Sequence, residues 1–486
     1  MHKDPIEEGA RLQQAGNIQA AISVYEHLLL KMPENPVLHY LLGTAYYQSN
    51  DHPERALFSL NKALGLDPTQ AEAWFNRGLV EGALEDHEAA LESFNMALRY
   101  RPQYPKACFH RGNTLHALNR FQEALESYDQ AIAQAPEHAD AHTNKGVTLR
   151  TLGRIDEALD AYARALTLSP NLTIRWNRSL LYLLKGDYLE GWKDYDLGLL
   201  TGHRKLAFST KFPPWNGRDP IRGKRFLIHA EQGYGDVIQF ARYAPLLSKG
   251  GASVSLLVPE SLKQLMQTLP GHIHVLTSID EVGQFDLHCP ILSLPLLFRT
   301  TLQSIPENTP YLRTDPKKVA AWRQHLGTHQ RTTSIGIVWS GNSDFQGDAL
   351  RSMALSEFHR ALPEGVRAIP LQKEIRHADR KQLAQLPNIH DVSSHLKDFS
   401  DTAALIDTLD LVITTCTSIA HLAGALGKEV WILLQYAPDW RWMLNRSDTP
   451  WYKSATLFRQ TTPGDWHAPL MEIHQRLVER HYLAHR

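Results

Sequence analysis

Two short segments gather residue types suited to phosphate and proton chemistry. In Glu231-Gln-Gly-Tyr-Gly-Asp236, a loop containing Gln232, Gly233 and Gly235 delivers Asp236 to the start of a helix. A carboxylate there can cap the helix N–H groups or remove a proton from a hydroxyl. In Cys416-Thr-Ser418 an apolar run ends and a helix begins, so backbone N–H groups and the helix dipole point outward, the arrangement that holds phosphate. Thr417 and Ser418 add hydroxyl donors there, and His421 falls one turn in, facing either the same site or the packed interior. Ser340, Gly341 and Asn342 form a comparable loop after another apolar run. Arg351, next to Ser352, is placed to clamp phosphate, and Gln372 and Lys373 end a further run as candidate nucleotide or phosphate contacts. Cys416 is either a reactive thiol or a small buried apolar side chain.

Several chemistries are excluded by spacing. Gly233 and Gly235 give G-x-G, but Ile238 occupies the third glycine position, and no acidic residue ends a strand about 20 residues on, so the dinucleotide fingerprint fails. No glycine-rich loop ends in Gly-Lys-Ser/Thr, which excludes a P-loop. The three cysteines (Cys108, Cys289, Cys416) are far apart, which argues against a disulfide framework or a structural zinc site. The 25 histidines are scattered, and pairs such as His272/His274 and His390/His395 lack carboxylates at ligand spacing. No metal and no resident cofactor are expected.

These loops need strands ahead of them. Arg225–Ala230, Val254–Val258, Phe285–Cys289, Ser334–Trp339, Ala368–Leu371, Leu411–Thr415 and Trp431–Leu434 read as strands, with a helix over Val237–Leu247 and another from Ser418. Short apolar runs alternating with helical segments indicate parallel α/β structure. Two successive units, each opening strand–glycine loop–helix, predict two Rossmann-like domains facing a cleft, at 223–330 and 331–486. Eight of the 11 tryptophans lie from Trp215 onward, including Trp440, Trp442 and Trp451. Their faces suit sugar or base stacking, or simply the core.

The first 205 residues are different. Prolines recur at 33, 68, 102, 136 and 170. Ahead of them stand Ala56/Leu60/Ala63, Ala90/Phe94/Ala97, Ala124/Tyr128/Ala131 and Ala158/Tyr162/Ala165, with Gly78, Gly112 and Gly146 in phase. Small residues permit two helices of a hairpin to approach, the aromatic fills the gap, and proline ends the second helix. A period of 34 with this pattern resembles the tetratricopeptide repeat. Five copies and a degenerate sixth (Trp176–Leu184 with Leu189–Leu199) are read, followed by a turn-rich linker at 206–222. Such solenoids present a concave surface, which here either recruits a polypeptide or mediates self-association. Asn76, Arg77, His110, Arg111, Asn113, Asn144 and Lys145 are the candidate groove residues.

Charge follows the same division. The 486 residues sum to −1, but residues 1–200 carry 19 Lys/Arg against 26 Asp/Glu, and the remainder 32 against 26. There is no overall electrostatic case for nucleic acid. The beginning of the chain lacks an apolar leader and no apolar run is long enough to span a bilayer, so a cytoplasmic location without membrane insertion is expected.

Gly-Tyr-Gly-Asp-Val-Ile, then Val-Trp-Ser-Gly-Asn, then Cys-Thr-Ser-Ile-Ala-His-Leu-Ala-Gly-Ala-Leu-Gly resembles glycosyltransferase family 9, the heptosyltransferase-like enzymes. Ala437-Pro-Asp-Trp-Arg-Trp442, Ser-Asp-Thr-Pro-Trp-Tyr452 and Leu457-Phe-Arg-Gln460 resemble the late segments of bacterial proteins that fuse such a domain to tetratricopeptide repeats. The resemblance implies a GT-B fold with an N-terminal acceptor domain and a C-terminal donor domain, whose terminal helix (Pro469–Leu483) packs back on the first domain. It implies Asp236 as catalytic base and His421 as a site histidine. It also implies a nucleotide sugar as donor, and as acceptor a protein hydroxyl brought by the repeats, flagellin or another surface protein by analogy. A lipopolysaccharide or other glycan acceptor, or a scaffold that no longer catalyses, are the alternatives. Heptosyltransferase-like enzymes usually carry Asp where this chain has Cys416.

Overall fold

The computed structural model describes residues 4–484 apart from 51, 207–209, 232, 282, 308, 328–332 and 344–346. It divides into two compact units, residues 1–174 and 175–486.

The first unit is a run of helical hairpins, from Pro5–Gln14 with Ile18–Leu29 to Ala139–Thr151 with Ile155–Leu168. Its small and aromatic repeat positions are buried, Ala21 and Tyr25 through Ala158, Tyr162 and Ala165. The glycine of each first helix explains why. A Cβ on Gly78, Gly112 or Gly146 would stand 2.8, 2.6 or 2.7 Å from the ring of Phe94, Tyr128 or Tyr162. Gly9 and Gly43 bear the same relation to Tyr25 and Leu60, which extends the period to the first two hairpins. Polar side chains then tie helices together both within and between repeats. Asn76 donates to Thr44 at 3.0 Å, Asn144 to Asn113 at 2.8 Å, and Tyr128 to the same Asn113 at 2.9 Å. Arg111 donates to Ser127 and Gln130, Arg77 to Glu81, and Lys145 to Asp129. His110 packs among Phe75, Phe94 and Phe109, and burial, with His138 and Lys106, lowers its pKa to about 4. The polar residues read from sequence as groove candidates therefore hold the solenoid together in large part.

The second unit contains two all-parallel sheets. The first has strand order β3-β2-β1-β4, with β1 Arg225–His229, β2 Ser253–Leu257, β3 Ile273–Leu276 and β4 Leu287–Pro290. The second has order β6-β5-β7-β8-β9, with β5 Ser334–Val338, β6 Arg367–Pro370, β7 Leu411–Thr415, β8 Val430–Leu434 and β9 Ala455–Arg459. The central strands β7 and β8 are buried throughout, as expected for parallel strands covered on both faces. The sequence reading lacks β3 and β9. Both are edge strands with mixed exposure, so neither shows a continuous apolar run. The helix expected over Val237–Leu247 is instead two pieces, Tyr234–Phe240 and Ala244–Lys249 joined by a 3-10 turn, and Pro245 sits in the first turn of the second piece.

Two further expectations change. The helical pair Leu172–Lys185 and Tyr188–Tyr195, read as a sixth repeat, falls almost wholly in the second unit. The reason is aromatic: Trp192 donates to the Thr300 carbonyl at 3.1 Å, and Tyr188 accepts from Trp451 at 2.9 Å. The terminal helix His467–Ala484 does not return to the first sheet. Its Leu470, Ile473 and Leu477 share a core with Ile335, Ile337, Phe358 and Ala361 under the second sheet. Residues 207–209 of the expected linker and 328–332 at the expected domain boundary lie outside the described residues.

Candidate functional site

Ligands of open parallel sheets bind beyond the strand C-termini where the strand order reverses. In the first sheet that point lies between β1 and β4, and in the second between β5 and β7. The sequence candidates fall there: Gly233, Gly235 and Asp236 after β1, Ser340–Asn342 after β5, and Cys416–Ser418 after β7. Gln232 lies outside the described residues.

The two points meet. The Tyr234–Phe240 helix packs against the Ser418–Ala425 helix so closely that a Cβ on Gly235 would stand 2.8 Å from His421 Cδ2 and 3.4 Å from Ser418 Cα. Tyr234 and Phe399 adjoin them with ring centroids 5.0 Å apart. His421 is buried. Its Nδ1 lies 3.0 Å from the Tyr452 hydroxyl and its ring stacks on Trp442 at 5.3 Å. Burial, then Arg441 and Arg242, push its pKa well below the usual histidine value, so it is neutral. Thr417 caps the helix through Ile419 N–H, and the Ser418 N–H has no partner among the described residues.

Asp236 is held from the other side. Arg441 Nη2 donates to its Oδ1 at 2.5 Å, while Arg441 Nε donates to Gln239 at 2.7 Å and Nη1 to both oxygens of Asp439 at 3.0 and 3.1 Å. Burial raises the Asp236 pKa, and Arg441 opposes that rise. Burial opposes the Arg441 charge too, but Asp439 and Asp236 raise its pKa overall. Arg441 stands in Ala437–Trp442, where two opposite charges inside an aromatic run are a sequence signal for a buried ion pair. Asp439 and Tyr452 are likewise site residues that the sequence reading does not include.

The loop after β5 is locked from within. Gln372 accepts from Trp339 N–H at 2.8 Å and Ser340 N–H at 3.3 Å and donates to Ser340 Oγ at 3.0 Å. Gly341 N–H donates to Ser352 Oγ at 2.9 Å. Arg351 bridges the switch point, Nη1 to the Cys416 carbonyl at 2.9 Å and Nε to Asp348 at 3.0 Å. Arg376 also pairs with Asp348, beside an open pocket of about 460 Å³ lined by Ser343, Gly347, Asp348, Ala349 and Arg376. Lys373 points elsewhere, donating to the Lys397 carbonyl at 3.1 Å. Cys416 accepts from Trp442 Nε1 at 3.0 Å, and burial pushes its thiol up to about 11, which leaves it protonated. Trp440, Trp442 and Trp451 are core residues, 4%, 0% and 1% exposed, so they offer no stacking face to a ligand.

A second buried cluster supports the first loop. Arg204 forks onto Glu231 at 2.8 and 2.9 Å and reaches Asp196 at 2.5 Å and Ser293 at 3.0 Å, with the Arg204 and Glu231 side chains fully buried. Glu231 also accepts from Leu292 N–H at 2.9 Å. No metal-holding group of three or more His, Cys, Asp or Glu occurs among the described residues, and no described helix is long and apolar enough to cross a membrane.

Comparison with known proteins places the repeats. Tetratricopeptide-repeat family models match residues 50–106 and 110–173, and a second such model matches 12–74. Protein FlbA of Caulobacter vibrioides is 27% identical over 322 residues, 60% of this chain and 52% of that protein, so the chain spans about half the length of the curated relative it matches. Among solved structures, MamA is 26% identical and covers 35% of this chain and 96% of its own, with a TM-score of 0.32. YrrB, described as a tetratricopeptide-repeat protein with an unusual peptide-binding site, is 23% identical over 36% of this chain and 90% of its own, with a TM-score of 0.33.

Proposed function

We propose that the second unit is a glycosyltransferase of the heptosyltransferase-like kind. It takes a sugar from a nucleotide-sugar donor to a protein side-chain hydroxyl, and the tetratricopeptide repeats recruit the acceptor protein. One observation carries this reading. A carboxylate from the first switch point, Asp236, and a free helix N-terminus from the second, at Ser418, sit on helices in direct contact through Gly235. Base and anion cradle are therefore adjacent, as transfer from a sugar diphosphate requires.

In this reaction the acceptor O–H proton passes to Asp236. The acceptor oxygen forms a bond to the anomeric carbon. The bond from that carbon to the diphosphate oxygen breaks, and its electron pair stays on the phosphate. The Ser418–Ala425 helix N-terminus, with the Thr417 and Ser418 hydroxyls, stabilises that negative charge. Neutral His421 acts as an uncharged hydrogen-bonding wall, and Arg351 adds a positive charge at the Cys416 carbonyl.

A second reading, a GT-B-like scaffold without transfer activity, has its own supporting observation: the Ser340 and Gly341 N–H groups are already satisfied by Gln372 and Ser352. A thermal-shift panel of ADP-, UDP-, GDP- and CMP-linked sugars separates the two. A shift with one nucleotide class, followed by transfer to a protein acceptor that is lost on deleting the repeats, supports the first reading. No shift with any donor favours the scaffold, and transfer to a free glycan that survives the deletion makes the acceptor a glycan.

A further inference from the structure

We propose that Arg441 is the positioning residue of the Asp236 carboxylate, fixing Oδ1 so that Oδ2 is the oxygen presented to the acceptor hydroxyl. The inference rests on the transferase reading above and adds the residue that orients its base.

Asp236 Oδ1 is taken by the Arg441 guanidinium at 2.5 Å. Oδ2 lies 3.8 Å from where a Gly233 Cβ would be, on a side chain 18% exposed, and the Gly233 N–H favours the charged form of the carboxylate. One oxygen is thus anchored by a charged fork, and the other faces Gly233, which carries no side chain.

The anchor is itself over-determined. Arg441 reaches Gln239 and Asp236, both on the Tyr234–Phe240 helix, and Asp439 in its own turn. Its guanidinium stacks on Trp440 at 4.3 Å. Downstream, Arg459 of β9 donates to the carbonyls of Trp442, Met443 and Arg446 at 2.6, 3.0 and 2.8 Å, which fixes the turn that carries Arg441. A planar fork held at both ends sets direction as well as charge, which a lysine cannot reproduce.

The groups facing Asp236 are Arg441 and Asp439 from the Trp440–Trp442 turn, Arg204 ahead of β1, Tyr195 and, through Gly235, His421. Burial raises the carboxyl pKa and Arg441 is the largest opposing influence, so loss of the guanidinium raises it further.

The test uses the full chain with Arg441→Lys and Arg441→Met, and two readouts. The first is the titration of Asp236, followed by carbon NMR of labelled carboxylates and assigned by its disappearance in Asp236→Asn. The second is the pH profile of transfer. Arg441→Met is expected to move the Asp236 titration and the acid limb of kcat/KM upward by about one pH unit or more. Arg441→Lys is expected to leave the limb near its place but to lower kcat about 10- to 100-fold with donor KM unchanged. If the Asp236 titration stays put in Arg441→Met, or if Arg441→Lys raises KM while kcat holds, the positioning role is wrong. Should Asp236→Asn transfer sugar at the normal rate, the base reading fails instead, and the titration still decides whether Arg441 governs this carboxylate. If Arg441→Met does not fold, Arg441→Lys with the same titration decides.

Discussion

Gly235 and His421 are in contact across the two halves of the second unit: a single added carbon on Gly235 would stand 2.8 Å from the His421 ring. The ring has nowhere to go. It is stacked on Trp442 and bonded to Tyr452, and Tyr452 in turn fills the space beside Gly424, where a Cβ would meet it at 2.4 Å. Gly235→Ala is therefore expected to separate the two helices at a cost of about 1–3 kcal/mol. Urea unfolding measures the cost, and the same variant should shift less with any nucleotide that stabilises the native chain. Unchanged stability would mean that the helices part freely.

For Asp236→Asn the expected loss in transfer rate is about 10²- to 10⁴-fold, the usual contribution of a general base. Donor binding should be nearly unaffected, because the Ser418–Ala425 helix N-terminus is left intact. Equal losses in donor affinity and rate would assign Asp236 to binding instead.

Arg204→Met leaves Glu231 buried without its partner. Breaking a buried pair in this way costs about 3–5 kcal/mol. Burial raises the Glu231 pKa even with Arg204 opposing. A raised folded pKa makes stability fall as pH rises from the ordinary carboxylate value toward the shifted one. The variant should therefore be least destabilised at low pH. Urea midpoints at pH 5 and pH 8 check the sign, and a deficit independent of pH would point to lost packing alone.

Asp398 caps the Phe399–Asp407 helix through Ser400 and Asp401 N–H groups. Burial works against its charge, but those bonds, the Ser400 hydroxyl and Lys318 outweigh it and lower its pKa. The stability it contributes is present above about pH 4 and lost as pH falls through the lowered value. Asp398→Ala should cost about 1 kcal/mol at neutral pH. The difference from the unsubstituted chain should shrink on acidification. A gap that persists at pH 2 would contradict the assignment.

In the solenoid, Gly112→Ala places a methyl 2.6 Å from the Tyr128 ring. Tyr128 is also pinned by Asn113, so the hairpin must open, at about 1–3 kcal/mol. Circular dichroism during thermal unfolding should show an earlier transition. Gly65→Ala, where a Cβ meets nothing within 4 Å, serves as the control and should be neutral or stabilising.

The amino-acid order alone determined the repeats, because each one writes its own packing locally: a glycine faces an aromatic 16 residues on within the same hairpin, as with Gly78 and Phe94. It also determined the central strands and the loops that follow them, since continuous apolar runs and glycines need no distant partner to be read. Tertiary structure alone decided the rest. Edge strands β3 and β9 have mixed exposure and carry no continuous apolar run. The terminal helix chose the second sheet because Leu470, Ile473 and Leu477 match the apolar surface there. Trp440 and Trp451 went to the core because Tyr188 and Trp192, more than 200 residues earlier, pack on them. Above all, Asp236 and Arg441 are separated by 205 residues and no local pattern couples them. Only the meeting of two sheets at their switch points gives the carboxylate its partner, its burial and its direction.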